Sequence, residues 1–322
     1  MGRPRPRLMA RLDPLVARAR NLVEPCLAPG AVVAVSGGAD SLALAAAVSF
    51  FVQRRGFEAR AVVVDHGLQA GSAEVAARAA EQCEGLGLPA SVRAVEVRDV
   101  GTGPEDAARV ARYLVLHEEA GDAPILLAHT LDDQAETVLL GLGRGSGPRA
   151  IQGMRATNGH LHRPFLALRR ADTERICALH DLDWWDDPHN EDPAYRRVRV
   201  RRELLPLMED VLGGGVAEAL ARTADLVRMD ADAVDALAIT AMPRSGAIED
   251  LWTFADLDTP VRQRIWRRLA IDAGASRGEL SHAHTLALDG LLQARGGTRI
   301  ELPGGVTAVR TRDRVDFVPR DL

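Results

Sequence analysis

A chain of 322 residues, 47% hydrophobic and 26% charged, has room for about two domains of ~150 residues, each with its own core. Its formal net charge of −5 excludes a protein that holds nucleic acid through bulk positive charge, so such contacts would have to come from local patches. No apolar stretch approaches the roughly 18 uncharged residues of a membrane span, and no membrane partner is expected. All 40 basic residues are arginine, whose planar fork suits phosphate. Cys26, Cys83 and Cys177 form no CxxC pair, which argues against a disulfide framework, a zinc knuckle or a cysteine-ligated cluster and for core packing. The first twenty residues carry six arginines but lack the apolar core and cleavage site of a secretory signal. With Pro4 and Pro6 they read as a frayed basic tail on a cytoplasmic, soluble protein.

Leu12 to Leu27 reads as an amphipathic helix ending before Pro29-Gly30. Ala31 onward is a continuous apolar run suited to a buried parallel strand; it breaks at Ser36-Gly37-Gly38 and resumes as an Ala/Leu-rich helix from Ser41. Strands follow at Ala59 to Val64, Ala90 to Val97 and Pro124 to Ala128. They alternate with helices at Ser72 to Gly85, Pro104 to Ala120 and Asp132 to about Leu142. Such alternation predicts a doubly wound parallel α/β sheet, with ligands at the carboxyl ends of the strands. Gly141 to Gly147 reads as a glycine-rich loop. Five arginines fall between Arg196 and Arg202, ahead of Leu204-Leu205-Pro206-Leu207. Gly215 to Met242 reads as a long connecting helix, Leu251 to Leu292 as helical, and Thr298 to Val318 as strands around Pro303-Gly304-Gly305. A boundary near Gly213 to Gly215 divides the chain into a 1–213 domain that carries this sheet and a 214–322 portion made of a helical linker and a smaller α+β domain.

Chemistry concentrates at two strand-to-helix junctions. At Ser36 to Ser41, two glycines remove the Cβ atoms that would keep an anion from the backbone, and the first turn of the next helix offers unpaired N–H groups to it. Ser36 and Ser41 add hydroxyl donors, and Asp40 is placed to reach a metal ion held by phosphates. Gly-Gly alone is ordinary turn punctuation; the fuller string SGGADS is more specific. It is neither a Walker A loop nor a GxGxxG fingerprint. At His129 to Thr137, Asp132, Asp133 and Glu136 share one helix face. Thr130 with Asp133 makes a capping box, and the acids suit the helix dipole. Beside a phosphate site, the same carboxylates would hold Mg²⁺ or an ammonium group.

SGGADS resembles the signature of the PP-loop ATP pyrophosphatases, which split ATP between its α and β phosphates. In order, the chain then carries Asp65-His66-Gly67-Leu68, Ala108 to Tyr113 (ARxxRY), HTLDDQAET, the RGSG run leading to Gly153-Met154, Arg163-Pro164, a DPxN at Asp187 to Asn190, and the arginine-rich element before LLPL. Together these resemble the bacterial tRNA(Ile)-lysidine synthase family over about the first two-thirds of the chain. The resemblance implies a PP-loop, adenine-nucleotide α-hydrolase-like fold. It also implies a ligase that uses ATP and Mg²⁺ to adenylate the wobble cytidine of an isoleucine tRNA with a CAU anticodon. Free L-lysine then displaces AMP to leave lysidine.

Carried over residue by residue, the resemblance assigns ATP to Ser36, Gly37, Gly38, Asp40, Ser41, Asp65 and His66, with Asp40 also on Mg²⁺. Asp133 and Glu136 would grip the lysine, with Asp132 and His129 in the same pocket and Arg109 near the adenylated intermediate. The catalytic set is therefore Asp40, Arg109, Asp133 and Glu136. Arg196, Arg197, Arg199, Arg201 and Arg202 are assigned to tRNA phosphates, against the alternative of a solvated helix face. Arg262, Arg264, Arg267 and Arg268 beside Trp266 could touch the tRNA from the C-terminal portion, but there the solvated helix face is the favoured reading. The family pattern has a serine where His189 stands and an asparagine that Arg196-Arg197-Val198-Arg199 lacks. Other PP-loop enzymes fit less well: a thiolase would be expected to carry cysteine pairs, and an ammonia-using synthetase a glutamine-hydrolysing domain. A non-catalytic binder has no need of an acidic pocket beside its ATP. The sequence leaves a homodimer open.

Overall fold

The computed structural model describes residues 12–67, 71–95, 104–145, 147–187 and 191–319. Leu68, Ser146, the Pro188-His189-Asn190 part of DPxN and the basic tail lie outside them. The chain forms two compact units, one of Met1–Thr137 with Met154–Ala221, the other of Val138–Gly153 with Arg222–Leu322.

In the first unit, α1 (Pro14–Val23) starts at an Asp13 cap whose carboxylate accepts from the Leu15 N–H at 2.8 Å. It is shorter than the predicted helix because Pro25 lacks an N–H, and the chain tightens into a 3₁₀ turn over Glu24–Cys26. β1 (Ala31–Val35), α2 (Ala39–Arg55), β2 (Ala59–Asp65), α3 (Ser72–Gly85), β3 (Ala90–Ala94), α4 (Pro104–Ala120), β4 (Ile125–Leu126) and α5 (Leu131–Arg144), whose residues from Val138 on count with the second unit, follow in alternation. A hairpin of β5 (Thr157–Asn158) and β6 (Leu161–His162) completes a sheet of order β3-β2-β1-β4-β6-β5. All pairings are parallel except β5 with β6. This is the doubly wound sheet expected from the sequence. β1 is buried on both faces, as its unbroken Ala/Val run requires. The strand order reverses between β1 and β4, so the crevice beyond their carboxyl ends is the topological switch point.

α6 (Arg170–Leu179), α7 (Arg196–Arg199), a π-helical turn over Val200–Leu204, and α8 (Leu205–Leu212) follow. The glycine-rich stretch is helical for its first half, because α5 continues through Arg144. Gly141 is needed for close approach: a Cβ there would sit 1.8 Å from the Ala150 carbonyl oxygen.

Beyond α9 (Val216–Thr240), the predicted Leu251 to Leu292 helix divides into α10 (Leu251–Ala255), α11 (Thr259–Asp272) and α12 (His282–Gly290). A three-stranded antiparallel sheet of β7 (Arg299–Leu302), β8 (Val306–Arg310) and β9 (Val315–Pro319) completes the smaller α+β portion. Trp266, Ile265, Ile248 and Leu288 lie in its core. Among the described residues, no helix is long and apolar enough to cross a membrane.

Candidate active site

A cavity of about 620 Å³ opens at the switch point. Ser36, Gly38, Asp40 and Ser41 line one side, and His129 and Asp133 another. Gly37 takes φ +86°, a left-handed conformation that costs other residues about 1–2 kcal/mol, and a Cβ there would press on Val75 at 3.3 Å. Its carbonyl accepts from the Trp185 N–H at 3.0 Å, which ties the loop down from outside. The Ser41 hydroxyl donates to the Gly38 carbonyl at 2.9 Å and accepts from the Ser36 N–H at 3.1 Å. No side chain caps α2, so its first-turn N–H groups remain available to an anion.

Asp40 is held from across the cavity by the first turn of α6. Thr173 donates its hydroxyl to one oxygen, and the Arg170 Nε stands 3.5 Å from the other. Burial pushes the Asp40 carboxyl up to about 6, although Arg170 and Thr173 pull the other way.

At the second junction the capping box forms as its spacing indicated. Asp133 accepts from the Thr130 N–H at 2.9 Å and from its hydroxyl at 3.1 Å. The other Asp133 oxygen faces Arg170 at 3.3 Å, Arg197 at 3.5 Å and Arg201 at 3.7 Å. Burial pushes this carboxyl up, but Arg170, Arg197 and the Thr130 N–H outweigh it and hold it below the usual carboxylate range. The Glu136 side chain is fully buried and takes Arg197 Nε at 2.7 Å and Arg201 Nε at 2.6 Å. Asp132 accepts from the Arg169 guanidinium at 3.0 Å and the Arg170 N–H at 2.8 Å.

The predicted site residues thus fall into groups. Ser36, Gly38, Asp40, Ser41, Arg109, His129, Asp133, Arg201 and Arg202 line the cavity, while Glu136 and Asp132 stand behind Asp133 in ion pairs. Asp65 and His66 are not among the lining residues; Val64, one position earlier, is. The Asp65 carboxylate accepts from the Gly67 N–H at 3.0 Å and shapes the turn. Arg109 lies over the Tyr113 ring, 5.2 Å from its centroid. Of the arginine-rich element, Arg197 and Arg201 point inward to the acids. Arg199 pairs with Glu203 and Arg202 with Glu191 at exposed positions, and Arg196 is exposed. In the second unit, Arg262 and Trp266 both donate to Asp289, Arg264 pairs with Asp235, Arg268 pairs with Asp272, and Arg267 donates to backbone carbonyls.

Sequence reasoning missed Arg170 and Thr173. The amphipathic RADTERICAL segment and the Asp172 three positions after Arg169 signal the helix, but nothing local signals its partner Asp40, 130 residues away.

His129 is half-buried, and its Nδ1, which is shielded from solvent, has no hydrogen-bond partner among the described residues. Burial, with Arg163, Arg109 and Arg197 adding to it and Asp133 opposing, lowers its pKa from 6.5 to about 4. The ring is therefore neutral at working pH. Its stabilising contribution is complete above 6.5 and is lost as pH falls towards 4. Asp40 acts oppositely: its contribution is present below 3.8 and lost as pH rises through about 6. In His129→Gln, the Tm relative to the parent protein should rise as pH is lowered from 6.5 to 4, read by thermal melts at each pH; a difference flat with pH would contradict this.

The site fits a nucleotide: the glycine loop leaves room for phosphate against uncapped N–H groups, and hydroxyls converge there. Among the described residues, no group of three or more His, Cys, Asp or Glu could hold a metal by itself. A Mg²⁺ carried in by phosphates needs only one or two carboxylates, and Asp40 is placed to supply one.

Residues 13–208 match the PP-loop domain family. The chain is 52% identical over 308 residues to the tRNA(Ile)-lysidine synthase of Leifsonia xyli subsp. xyli, covering 91% of each chain. It is 49% identical over 300 residues to that of Streptomyces coelicolor, covering 89% of this chain and 85% of the relative. Among solved structures, the U34-tRNA thiolase NcsA from Methanococcus maripaludis aligns with a TM-score of 0.54 at 15% identity, over 66% of this chain and 80% of that one. That is a likeness of fold alone. Identity near one half over most of the chain goes further: the chain belongs to the tRNA(Ile)-lysidine synthase family, ligases built on a PP-loop domain.

Proposed function

We propose that this protein uses ATP to activate the wobble cytidine of an isoleucine tRNA with a CAU anticodon, then joins free L-lysine to it. The observation that carries the reading is the meeting of a phosphate loop and an acid cluster on one cavity, with Asp40 and Asp133 held by the same guanidinium.

In the first step the cytidine O2 attacks the α phosphorus and pyrophosphate leaves. The first-turn N–H groups of α2 and the Ser36 and Ser41 hydroxyls hold phosphate oxygens where charge builds up. Mg²⁺, when bound, compensates the charge of the departing pyrophosphate, and Asp40 is the residue to hold it. In the second step the lysine ε-amine, having lost a proton, attacks C2, and the C2–O bond breaks as AMP departs with the oxygen. Asp133 recruits the amine as an ammonium ion, and Glu136 acts behind it. Each oxygen of this pair already faces a hydrogen-bond donor or a guanidinium, so the ammonium group must displace one or use the remaining lone pairs.

We assign the outward Arg196 and Arg199, with Arg202 at the cavity, to tRNA phosphates, and Arg197 and Arg201 to organising the acids. Arg199→Ala should weaken tRNA binding and reduce the slope of log K against log salt by about 1, measured by filter binding; an unchanged slope would remove Arg199 from the interface. Labelled pyrophosphate exchange into ATP tests the first step. It should require the CAU isoleucine tRNA and proceed without lysine; exchange at the same rate without tRNA would contradict the reading.

A further inference from the structure

Two arginines, Arg169 at the N-cap of α6 and Arg170 at its first position, do different work. Arg169 turns away from the cavity and binds Asp132 at 3.0 Å, Glu218 at 2.7 and 2.8 Å, and Glu209 at 3.5 Å. It staples elements of the first unit together. Arg170 lines the cavity, with its Nε 3.5 Å from an Asp40 oxygen and a terminal nitrogen 3.3 Å from an Asp133 oxygen.

The backbone around Arg170 is fixed for that purpose. Its N–H donates to Asp132 at 2.8 Å, and its carbonyl accepts the Thr173 hydroxyl at 2.7 Å; that hydroxyl also reaches Asp40. The guanidinium is about one-quarter exposed. Burial disfavours its charge, but Asp133, Asp40, Glu136 and Asp132 together outweigh burial and raise its pKa. Asp133 is close enough to Asp40 to disfavour its ionisation. A cation between them removes that repulsion, and a planar fork does so while fixing direction, which a lysine ammonium does not.

We propose that Arg170 is a positioning residue shared by both chemical steps: its fork sets Asp40, on the phosphate loop, against Asp133, in the acid cluster, so that a base activated at the loop is presented to the amine gathered at the acids. This rests on the two-step reading above. Neither carboxylate belongs to the other's element: Asp40 is on α2 and Asp133 on α5. Arg170 reaches both from a third helix.

The test measures the two steps separately in the full chain. Pyrophosphate exchange reports the first; the second is read by loading tRNA with ATP until the adenylate accumulates and then adding labelled lysine. Arg170→Lys keeps the charge and loses the fork. It should fold with a Tm near the parent's, lower the rate constants of both steps about 10²-fold, and change the KM for ATP little. Arg170→Gln, read by the same two rates, serves if the lysine variant does not fold. Parent rates in both steps, a loss confined to one step, or a loss that tracks a fall in Tm would each overturn the inference. Failure of the parent protein in both assays would instead overturn the reaction it rests on.

Discussion

Asp133→Asn is expected to reduce lysine transfer by about 10²-fold or more while nucleotide binding survives. Asparagine keeps the size of the side chain and an oxygen for the Thr130 N–H, so the start of α5 stays capped. What disappears is the negative charge facing Arg170, Arg197 and Arg201, and with it the attraction for an ammonium group. Equilibrium binding of an ATP analogue, measured beside lysine transfer, separates the two effects. Loss of both together would show that the acid cluster serves the nucleotide, and full transfer would remove Asp133 from the reaction.

Glu136→Ala should act first on stability. The carboxylate is fully buried and holds the Nε groups of Arg197 and Arg201. Removing one partner of a buried ion pair leaves uncompensated charge at a cost of about 3–5 kcal/mol. For a unit of this size that is a fall in Tm of about 10 °C, seen by calorimetry. Glu136→Gln keeps the acceptor oxygen and should lose less. A Tm unchanged in both variants would mean that the ion pairs are not formed in solution.

The parts of the fold that were legible in the sequence are those set by local chemistry. β1 showed itself because a strand buried on both faces needs an unbroken apolar run, and its end because Gly37 takes a backbone conformation costly to other residues. The bounds of α3 and α4 agree with the alanine spacing after Ser72 and with a proline at the start of α4. The Thr130 to Asp133 box is a three-residue relation and could be read directly. β4 was anticipated but pairs over only two residues, while β5 and β6, at two residues each, are too short to leave a periodic run.

The site divides in the same way. Loop and acids are contiguous strings, whereas the groups that hold them come from elsewhere in the chain: Arg170 lies 130 residues from Asp40, and Arg197 and Arg201 lie 61 and 65 residues from Glu136. A run of arginines before LLPL has the same local pattern whether its side chains meet phosphate or buried carboxylate. Here the inward positions are four apart, so successive turns carry both to one buried glutamate.

The central claim, that ATP-driven activation and lysine capture occur at one cavity, is tested most directly by incorporation of radiolabelled lysine into tRNA with ATP and Mg²⁺. The substrate is a CAU-anticodon isoleucine tRNA transcript, and the control is the methionine tRNA with the same anticodon. Label in the isoleucine tRNA alone, dependent on ATP, is the predicted result. No label in either tRNA, from folded protein that binds ATP, would contradict the account.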